Sequence, residues 1–169
     1  MNPAGAESTV LLRRMQLEDV AAVHALDVMS FSLPWTERSY RFELNENRTS
    51  RPWVAEAQNA DGSRQIVGML VIWLIVDEAH IATIATHADF RRRKIAERLL
   101  AKGLIEAQKE GALKAFLEVR RGNLAAQAMY FKFGFEINGV RTRYYRDTGE
   151  DALLMILDTI ELQKLERLV

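Results

Sequence analysis

Apolar positions along the chain fall into two kinds of pattern, continuous runs and helical repeats. The longest apolar run, Ile66–Val76 (IVGMLVIWLIV), is rich in β-branched residues and predicts a long buried strand. Apolar residues spaced by three and four positions instead predict amphipathic helices over 18–29 and 92–110. Thr36, which follows the Pro34 chain break, is a suitable N-cap for another helix.

The remaining segments fit around these elements. We expect strands at 10–15, 53–58, 66–76, 79–86, 115–119, 135–140 and 152–157, and further helices at 36–46, 124–132 and 161–168. The Asp61-Gly62 turn joins the second and third strands as a hairpin. Gly68, inside the third strand, indicates a bulge or a close backbone approach, unless it is an incidental small residue. Gly111 follows the long helix, where a left-handed C-cap is usual.

The order of these elements predicts the fold class. A strand is followed by two helices, three antiparallel strands, a helix, a strand, a helix and closing strands. This order is typical of a mixed α/β sheet with helices on both faces, and it differs from a doubly wound Rossmann repeat. We expect one domain over 10–158, preceded by a flexible segment, 1–9, and followed by a helical tail, 159–169.

Composition excludes several classes of protein. The 169 residues include 23 basic and 23 acidic side chains, so the zero formal charge argues against a broad basic face for nucleic acid or an anionic membrane. The absence of cysteine excludes disulfides, thiolate zinc sites and cysteine nucleophiles. The three histidines, His24, His80 and His87, lack metal-ligand spacing, so we expect no metal. Without a secretory pattern or a bilayer-length apolar run, we expect a cytoplasmic protein with no membrane partner.

A cluster of arginines stands where a strand leads into the long helix. Arg91, Arg92 and Arg93 are consecutive, and a helix N-terminus presents amide groups and the positive end of its dipole to anions such as phosphate. Taken alone, such a cluster is more typical of a solvated basic turn. A nucleic-acid patch has less support, because no aromatic residues are interleaved with the arginines.

The context of this cluster resembles a known signature. Arg91-Arg92-Arg93-Lys94-Ile95-Ala96 is similar to the acyl-CoA motif Q/R-x-x-G-x-G/A of the GNAT N-acetyltransferases. The resemblance implies that backbone amides of this turn bind the pyrophosphate of acetyl-CoA. It also implies that the preceding strand residues, Ile84, Ala85 and Thr86, lie alongside the pantetheine arm. Lys94 replaces the first glycine of the motif, and we expect binding to survive because backbone amides are the main donors.

Further motifs extend the resemblance over residues 10–157. Leu117-Glu118-Val119-Arg120, Asn123 and the segment 128–135 are spaced as in the ribosomal-protein-alanine N-acetyltransferases, the RimI branch of GNAT. Pro34-Trp35-Thr36 and Arg143-Tyr144-Tyr145 also resemble that branch. The resemblance implies the GNAT fold, a largely antiparallel central sheet of six to seven strands, with acetyl-CoA as co-substrate and no metal.

The resemblance also implies roles for individual residues. Glu118 would accept a proton, Tyr130 would donate one and contact the cofactor, and Asn123 would contact the cofactor. The residues alone leave other interpretations open. Asn123 is also a good N-cap, Tyr130 lies in an apolar helix face typical of a core, and Glu118 suits a salt-bridged carboxylate on a central strand. The cluster Arg141–Arg146 is an RNA patch, a substrate-contacting loop or plain surface.

We therefore predict transfer of acetyl from acetyl-CoA to the N-terminal α-amine of a protein. The implied acceptor is the N-terminal alanine of a small-subunit ribosomal protein. Attack is expected to be direct, in a ternary complex, because no thiol is available to carry the acetyl group. The alternatives are a GNAT enzyme for a small amine and a non-catalytic acyl-CoA-binding module. We expect a monomer or weak homodimer that does not bind nucleic acid.

Overall fold

The apolar segments pair into one seven-stranded sheet in the computed structural model, which describes residues 9–169. Its strands are β1 (Thr9–Arg14), β2 (Ser50–Gln58), β3 (Arg64–Ile75), β4 (Glu78–Thr86), β5 (Lys114–Arg120), β6 (Glu136–Arg141) and β7 (Ala152–Leu157). The helices are α1 (Val20–Ser30), α2 (Glu37–Asn45), α3 (Ile95–Lys109), α4 (Leu124–Phe133) and the single turn α5 (Leu162–Leu165). The predicted mixed α/β sheet of six to seven strands is confirmed.

The strands lie in the order β1-β2-β3-β4-β5-β7-β6. Strands β1 to β4 form an antiparallel meander, and β7 lies antiparallel between β5 and β6. The β4–β5 pair is parallel, and α3 provides the crossover that a parallel connection requires. All the remaining neighbouring pairs in the described sheet are antiparallel.

The sheet is buried on both faces, which explains the continuous apolar run in β3. Leu70 and Ile72 pack with α3 in the larger core cluster, whereas Met69 and Val71 pack with α1 in the smaller one. A strand covered on both faces reads as an unbroken apolar run because both sets of alternating side chains are buried. The predicted buried stripe of α3 is confirmed at Ile95, Leu99, Leu100, Leu104 and Ala107.

Several element boundaries differ from the sequence prediction. The long helix begins at Ile95, not at Arg92, because Arg92 and Lys94 have positive φ angles of 62° and 59° that an α-helix does not accommodate. The predicted helix over 18–29 starts as a 3₁₀ turn, Leu17–Asp19, that continues into α1. The predicted helix over 161–168 divides into α5 and a 3₁₀ turn, Glu166–Leu168.

Two further predictions concern the ends of the chain. Residues 1–8 of the expected flexible segment lie outside the described residues, and Thr9 already belongs to β1. At the other end, Ile160 and Leu165 are buried in the larger core cluster. Within residues 9–169, no helix combines the length and the apolar character needed to cross a membrane.

Gly68 shows both features that its position predicts. The pairing of β2 with β3 shifts register between Ala55 and Glu56, beside Gly68. A Cβ atom on Gly68 would lie 2.9 Å from both Ile95 Cγ2 and Leu99 Cδ1. Only glycine therefore lets the first turns of α3 approach β3 this closely.

Substitution of Gly68 tests this packing. We expect Gly68→Ala to lower the free energy of unfolding by about 1–3 kcal/mol, because the added methyl group overpacks the core. Leu99→Val removes the Cδ1 atom that the methyl group meets, so it should cost less in the Gly68→Ala background than in the wild type. Denaturant unfolding of the four proteins measures both effects, and an additive cycle would contradict the proposed contact.

Candidate acyl-transfer site

Two neighbouring strands part in the middle of the sheet. The pairing of β4 with β5 covers residues 78–81 and 114–117, although β4 continues to Thr86 and β5 to Arg120. On the other side of β4, the register passes from Ile81 opposite Ile72 to Thr83 opposite Val71, which makes Ala82 the extra residue of a β-bulge. A bulge bends its strand, so the two carboxyl-terminal ends diverge and leave a cleft.

The cleft widens into a cavity of about 940 Å³. This volume lies within the range of small-molecule and cofactor sites. Its walls come from the two parted strands, α4, the connection between α1 and α2, and the loop between β6 and β7. The lining residues include Phe31, Ser32, Leu33, Trp35, Ile81, Ala82, Thr83, Ile84, Glu118, Val119, Arg120, Asn123, Tyr130, Thr142, Arg143, Tyr144, Tyr145 and Arg146.

The structure brings together some of the predicted site residues and separates others. Ile84, Glu118, Asn123 and Tyr130 all line this cavity. Ala85 lies on the opposite face of β4, packed in the smaller core cluster, so only its backbone remains available on the cleft edge. The next residue, Thr86, has a buried side-chain hydroxyl that finds no hydrogen-bond partner within residues 9–169.

The predicted pyrophosphate turn lies at the start of α3. Its residues Arg91, Arg92, Arg93 and Lys94 are exposed, and Ile95 and Ala96 begin the helix. The first turn of a helix leaves amide groups without helical partners, and left-handed residues beside it favour a concave cluster of amides. This backbone arrangement suits an anion such as a pyrophosphate.

Lys94 occupies a backbone conformation that favours glycine. Its φ of 59° and ψ of 20° are left-handed, which costs a non-glycine residue roughly 1–2 kcal/mol. Lys94 is also the N-cap of α3, and its carbonyl accepts a hydrogen bond from the Arg98 amide at 2.9 Å. The left-handed backbone at this position explains the glycine of the family motif. Lysine adopts the same geometry at a cost in free energy.

Glu118 has partners and also faces the cavity. Its carboxylate lies 3.2 Å from Nε of Arg141, and the proximity of this carboxylate raises the pKa of the Tyr144 phenol. The salt-bridged interpretation is therefore confirmed. A paired carboxylate that lines a cleft can still accept a proton, so the salt bridge and a chemical role are compatible.

Tyr130 and Asn123 each combine a structural position with a place on the cavity wall. Tyr130 is only 4% exposed and packs 5.7 Å from the ring of Phe135, so the core interpretation is confirmed. Burial raises the pKa of Tyr130 above its ordinary value, which keeps the phenol protonated at neutral pH. The Oδ1 atom of Asn123 accepts the Ala126 amide at 3.2 Å, which confirms the N-cap.

Sequence reasoning missed one carboxylate beside the cavity. Asp27 is 1% exposed, and its Oδ2 atom accepts hydrogen bonds from the Trp35 amide at 2.7 Å and the Tyr40 hydroxyl at 2.9 Å. Burial raises the pKa of Asp27. Asp27 lies on the same buried face of α1 as Val20 and Val23, and this helical spacing could have indicated a buried carboxylate. Asp27 anchors the connection between α1 and α2, which forms one wall of the cavity.

The Arg141–Arg146 cluster is built into the cavity. Arg141 pairs with Glu118, and residues 142–146 line the wall. This placement favours the substrate-contacting loop over a separate RNA patch. Among residues 9–169, no group of three or more potential ligands is arranged to bind a metal ion.

Comparisons with known proteins agree with this geometry. Residues 20–135 match the model of the Acetyltransferase (GNAT) family. A Bacillus subtilis (strain 168) protein, provisionally named a ribosomal protein bS18-alanine N-acetyltransferase, is 38% identical over 144 residues, which are 85% of this chain and 92% of that protein.

Two solved structures share the fold. The ribosomal-protein-S18-alanine N-acetyltransferase from Escherichia coli has a TM-score of 0.79 at 25% identity, with 90% of this chain and 96% of that chain covered. Arabidopsis thaliana NAA60 in complex with acetyl-CoA has a TM-score of 0.79 at 14% identity, with 88% and 98% covered. With the family match across more than half of its length, the chain belongs to the GNAT family and is an acetyl-CoA-dependent N-acetyltransferase.

Proposed function

We propose that this enzyme acetylates the N-terminal alanine of a small-subunit ribosomal protein. The observation that carries the proposal is the extended similarity to bacterial proteins named for that acceptor, which covers 85% of the chain. The cavity between the α1–α2 connection and the β6–β7 loop has room for the end of an acceptor chain beside Glu118 and Tyr130. A ribosomal acceptor places the reaction in the cytoplasm. Because one chain supplies every described wall of the cavity, we expect a monomer or a weak homodimer to be active.

Acetyl-CoA would extend from the start of α3 into the cleft between β4 and β5. Backbone amides of Arg91–Ala96 would bind the pyrophosphate, and the basic side chains there add favourable charge. The pantetheine arm would lie along residues 84–86, where the edge of β4 has parted from β5 and its backbone groups are free to pair with the amide groups of the arm. Asn123 and Tyr130 would contact the cofactor from the opposite side, at the start and middle of α4.

The reaction requires a neutral amine. An α-amino group has a pKa near 7.7–8.0, so its deprotonation at pH 7 costs roughly 1 kcal/mol, whereas a lysine side chain near 10.4 costs about 4.6 kcal/mol. Glu118, directly or through water, would accept the proton that the ammonium group loses. The amine nitrogen then attacks the thioester carbonyl, the N–C bond forms and the C–S bond breaks. The second amine proton ends on the sulfur of the released CoA.

Tyr130 would assist the departing sulfur. Its raised pKa makes full proton transfer to a thiolate less favourable, but it keeps the hydroxyl protonated as a hydrogen-bond donor. A buried donor aimed at developing negative charge is stronger than one in water. We therefore assign Tyr130 stabilisation of the thiolate, with the amine as the ultimate source of the proton.

The acceptor class is tested with matched substrates. We expect a peptide that begins with alanine to be acetylated about 100-fold faster than the same peptide with a blocked N-terminus and an internal lysine, because the α-amine is much less basic. A polyamine serves as the small-amine control. Radiolabelled acetyl transfer at pH 7 measures all three rates. Preference for the polyamine would support the small-amine enzyme, and tight acetyl-CoA binding without any turnover would support the non-catalytic module.

Substitutions of Glu118, Tyr130 and Arg141 test the proposed chemical roles and separate that of Glu118 from its ion pair. Glu118→Gln and Tyr130→Phe should each lower kcat at least about tenfold with acetyl-CoA affinity nearly unchanged. Arg141→Gln removes the ion pair but leaves the carboxylate, so kcat should change by less than about threefold. Equal losses in Glu118→Gln and Arg141→Gln would assign Glu118 a structural role only.

Lys94→Gly tests the left-handed turn. Glycine relieves the backbone strain while retaining the amide, so we expect a higher melting temperature and an acetyl-CoA Kd within about fivefold of the wild type. The matched control is Arg93→Gly, whose backbone is not left-handed and which should lower the melting temperature. Acetyl-CoA titration and thermal unfolding measure both. Binding that appears only in the glycine variant would show that the lysine blocks the site.

A further inference from the structure

Arg120, the last residue of β5, makes an unusual number of contacts with one loop. Its Nη2 atom lies 2.9 and 3.1 Å from the two carboxylate oxygens of Asp147. Its Nη1 atom lies 3.2 Å from Thr148 Oγ1 and 3.4 Å from Glu150 Oε1. The guanidinium carbon is 3.9 Å from the ring centroid of Tyr145. A single side chain thus contacts four of the residues between β6 and β7.

That loop, residues 142–151, forms the wall of the cavity opposite α1 and is hereafter called the acceptor loop. Its internal hydrogen bonds are mostly short-range. The Gly149 amide donates to the Tyr145 carbonyl at 2.7 Å, and the Tyr145 amide donates to the Glu150 carbonyl at 3.1 Å. The Glu150 amide donates to Thr148 Oγ1 at 3.2 Å, and the Arg143 amide donates to Asp151 Oδ1 at 2.9 Å. Loops of this kind are mobile unless side chains anchor them. Arg120 anchors this loop to the sheet, at the strand end that also carries Glu118.

Asp147 extends the connection to the other wall. The Ser32 hydroxyl donates a hydrogen bond to the Asp147 carboxylate, so the connection between α1 and α2 is linked to the acceptor loop. This hydrogen bond and the Arg120 guanidinium hold the pKa of Asp147 below its ordinary value, so the carboxylate stays charged at neutral pH. Arg120, Asp147 and Ser32 therefore join both walls of the cavity to the end of β5.

We propose that Arg120 is a positioning residue for the acceptor: it holds the acceptor loop, and through Asp147 the facing wall, at the distance that lets the acceptor amine reach Glu118. This inference rests on the proposed function. It predicts an effect on acceptor binding, because the acetyl-CoA turn at the start of α3 lies outside this set of contacts. A planar guanidinium is required, since a lysine cannot stack on Tyr145 and reach two carboxylates at once.

The test compares Arg120→Ala and Arg120→Lys with Arg51→Ala as the matched control. Arg51 also pairs its guanidinium with a carboxylate, 2.7 Å from Glu110, and neither residue lines the cavity. We expect both Arg120 variants to raise the KM for an alanine-initiated peptide at least tenfold, with the KM for acetyl-CoA within twofold and kcat within threefold of the wild type. Arg51→Ala should leave all three constants within twofold.

Asp147→Ala provides a second route if the Arg120 variants fold poorly. It should raise the peptide KM in the same direction and speed hydrogen exchange at residues 144–150, with exchange in α3 unchanged. An active wild type whose Arg120→Ala and Asp147→Ala variants keep the peptide KM overturns this inference alone. A peptide KM in Arg120→Lys equal to that of the wild type also overturns it. A wild type that binds acetyl-CoA but acetylates no N-terminal peptide overturns the proposed function itself.

Discussion

The separation of β4 from β5 creates the cleft around which every other part of the site is arranged. Parallel pairing stops after Ile81 and Leu117, and the bulge at Ala82 turns β4 away while β3 still holds its other edge. The carboxyl-terminal part of β4 therefore has one unpaired edge in the middle of the sheet. Backbone groups on that edge lack a neighbouring strand, and unpaired backbone groups next to a cavity favour a ligand with amide groups of its own. A cofactor arm can complete the sheet there.

The charges around the cavity divide into two sets with different tasks. At the start of α3, the arginines and Lys94 are exposed, and the directional contacts proposed there come from backbone amides. On the acceptor side, two of the arginines are instead paired with carboxylates, Arg141 with Glu118 and Arg120 with Asp147. Paired groups hold a shape, whereas exposed cations raise the local concentration of an anionic ligand. The zero net charge of the chain conceals this asymmetry.

Local signals in the sequence predicted many elements correctly. Thr36 caps α2 through the Ser39 amide, Gly111 has a φ of 109° just after the C-cap of α3, and the apolar stripe of α3 is buried. The sequence predicts too early a start for α3 because arginine and lysine are good helix formers by propensity. The left-handed residues at 92 and 94 override that propensity, and a pattern of residue types does not reveal their φ angles.

The mixed α/β class, the order of elements and the motifs that resemble the acetyltransferase family could all be predicted without a structure. These properties follow from periodicity, turn residues and short spacings, which are local along the chain. Three features emerge only in the folded chain: β7 lies between β5 and β6, Asp27 anchors a cavity wall, and the Ser32 hydroxyl bonds to Asp147. Such contacts join residues far apart in sequence, and they depend on how strands twist and part, so no local pattern specifies them.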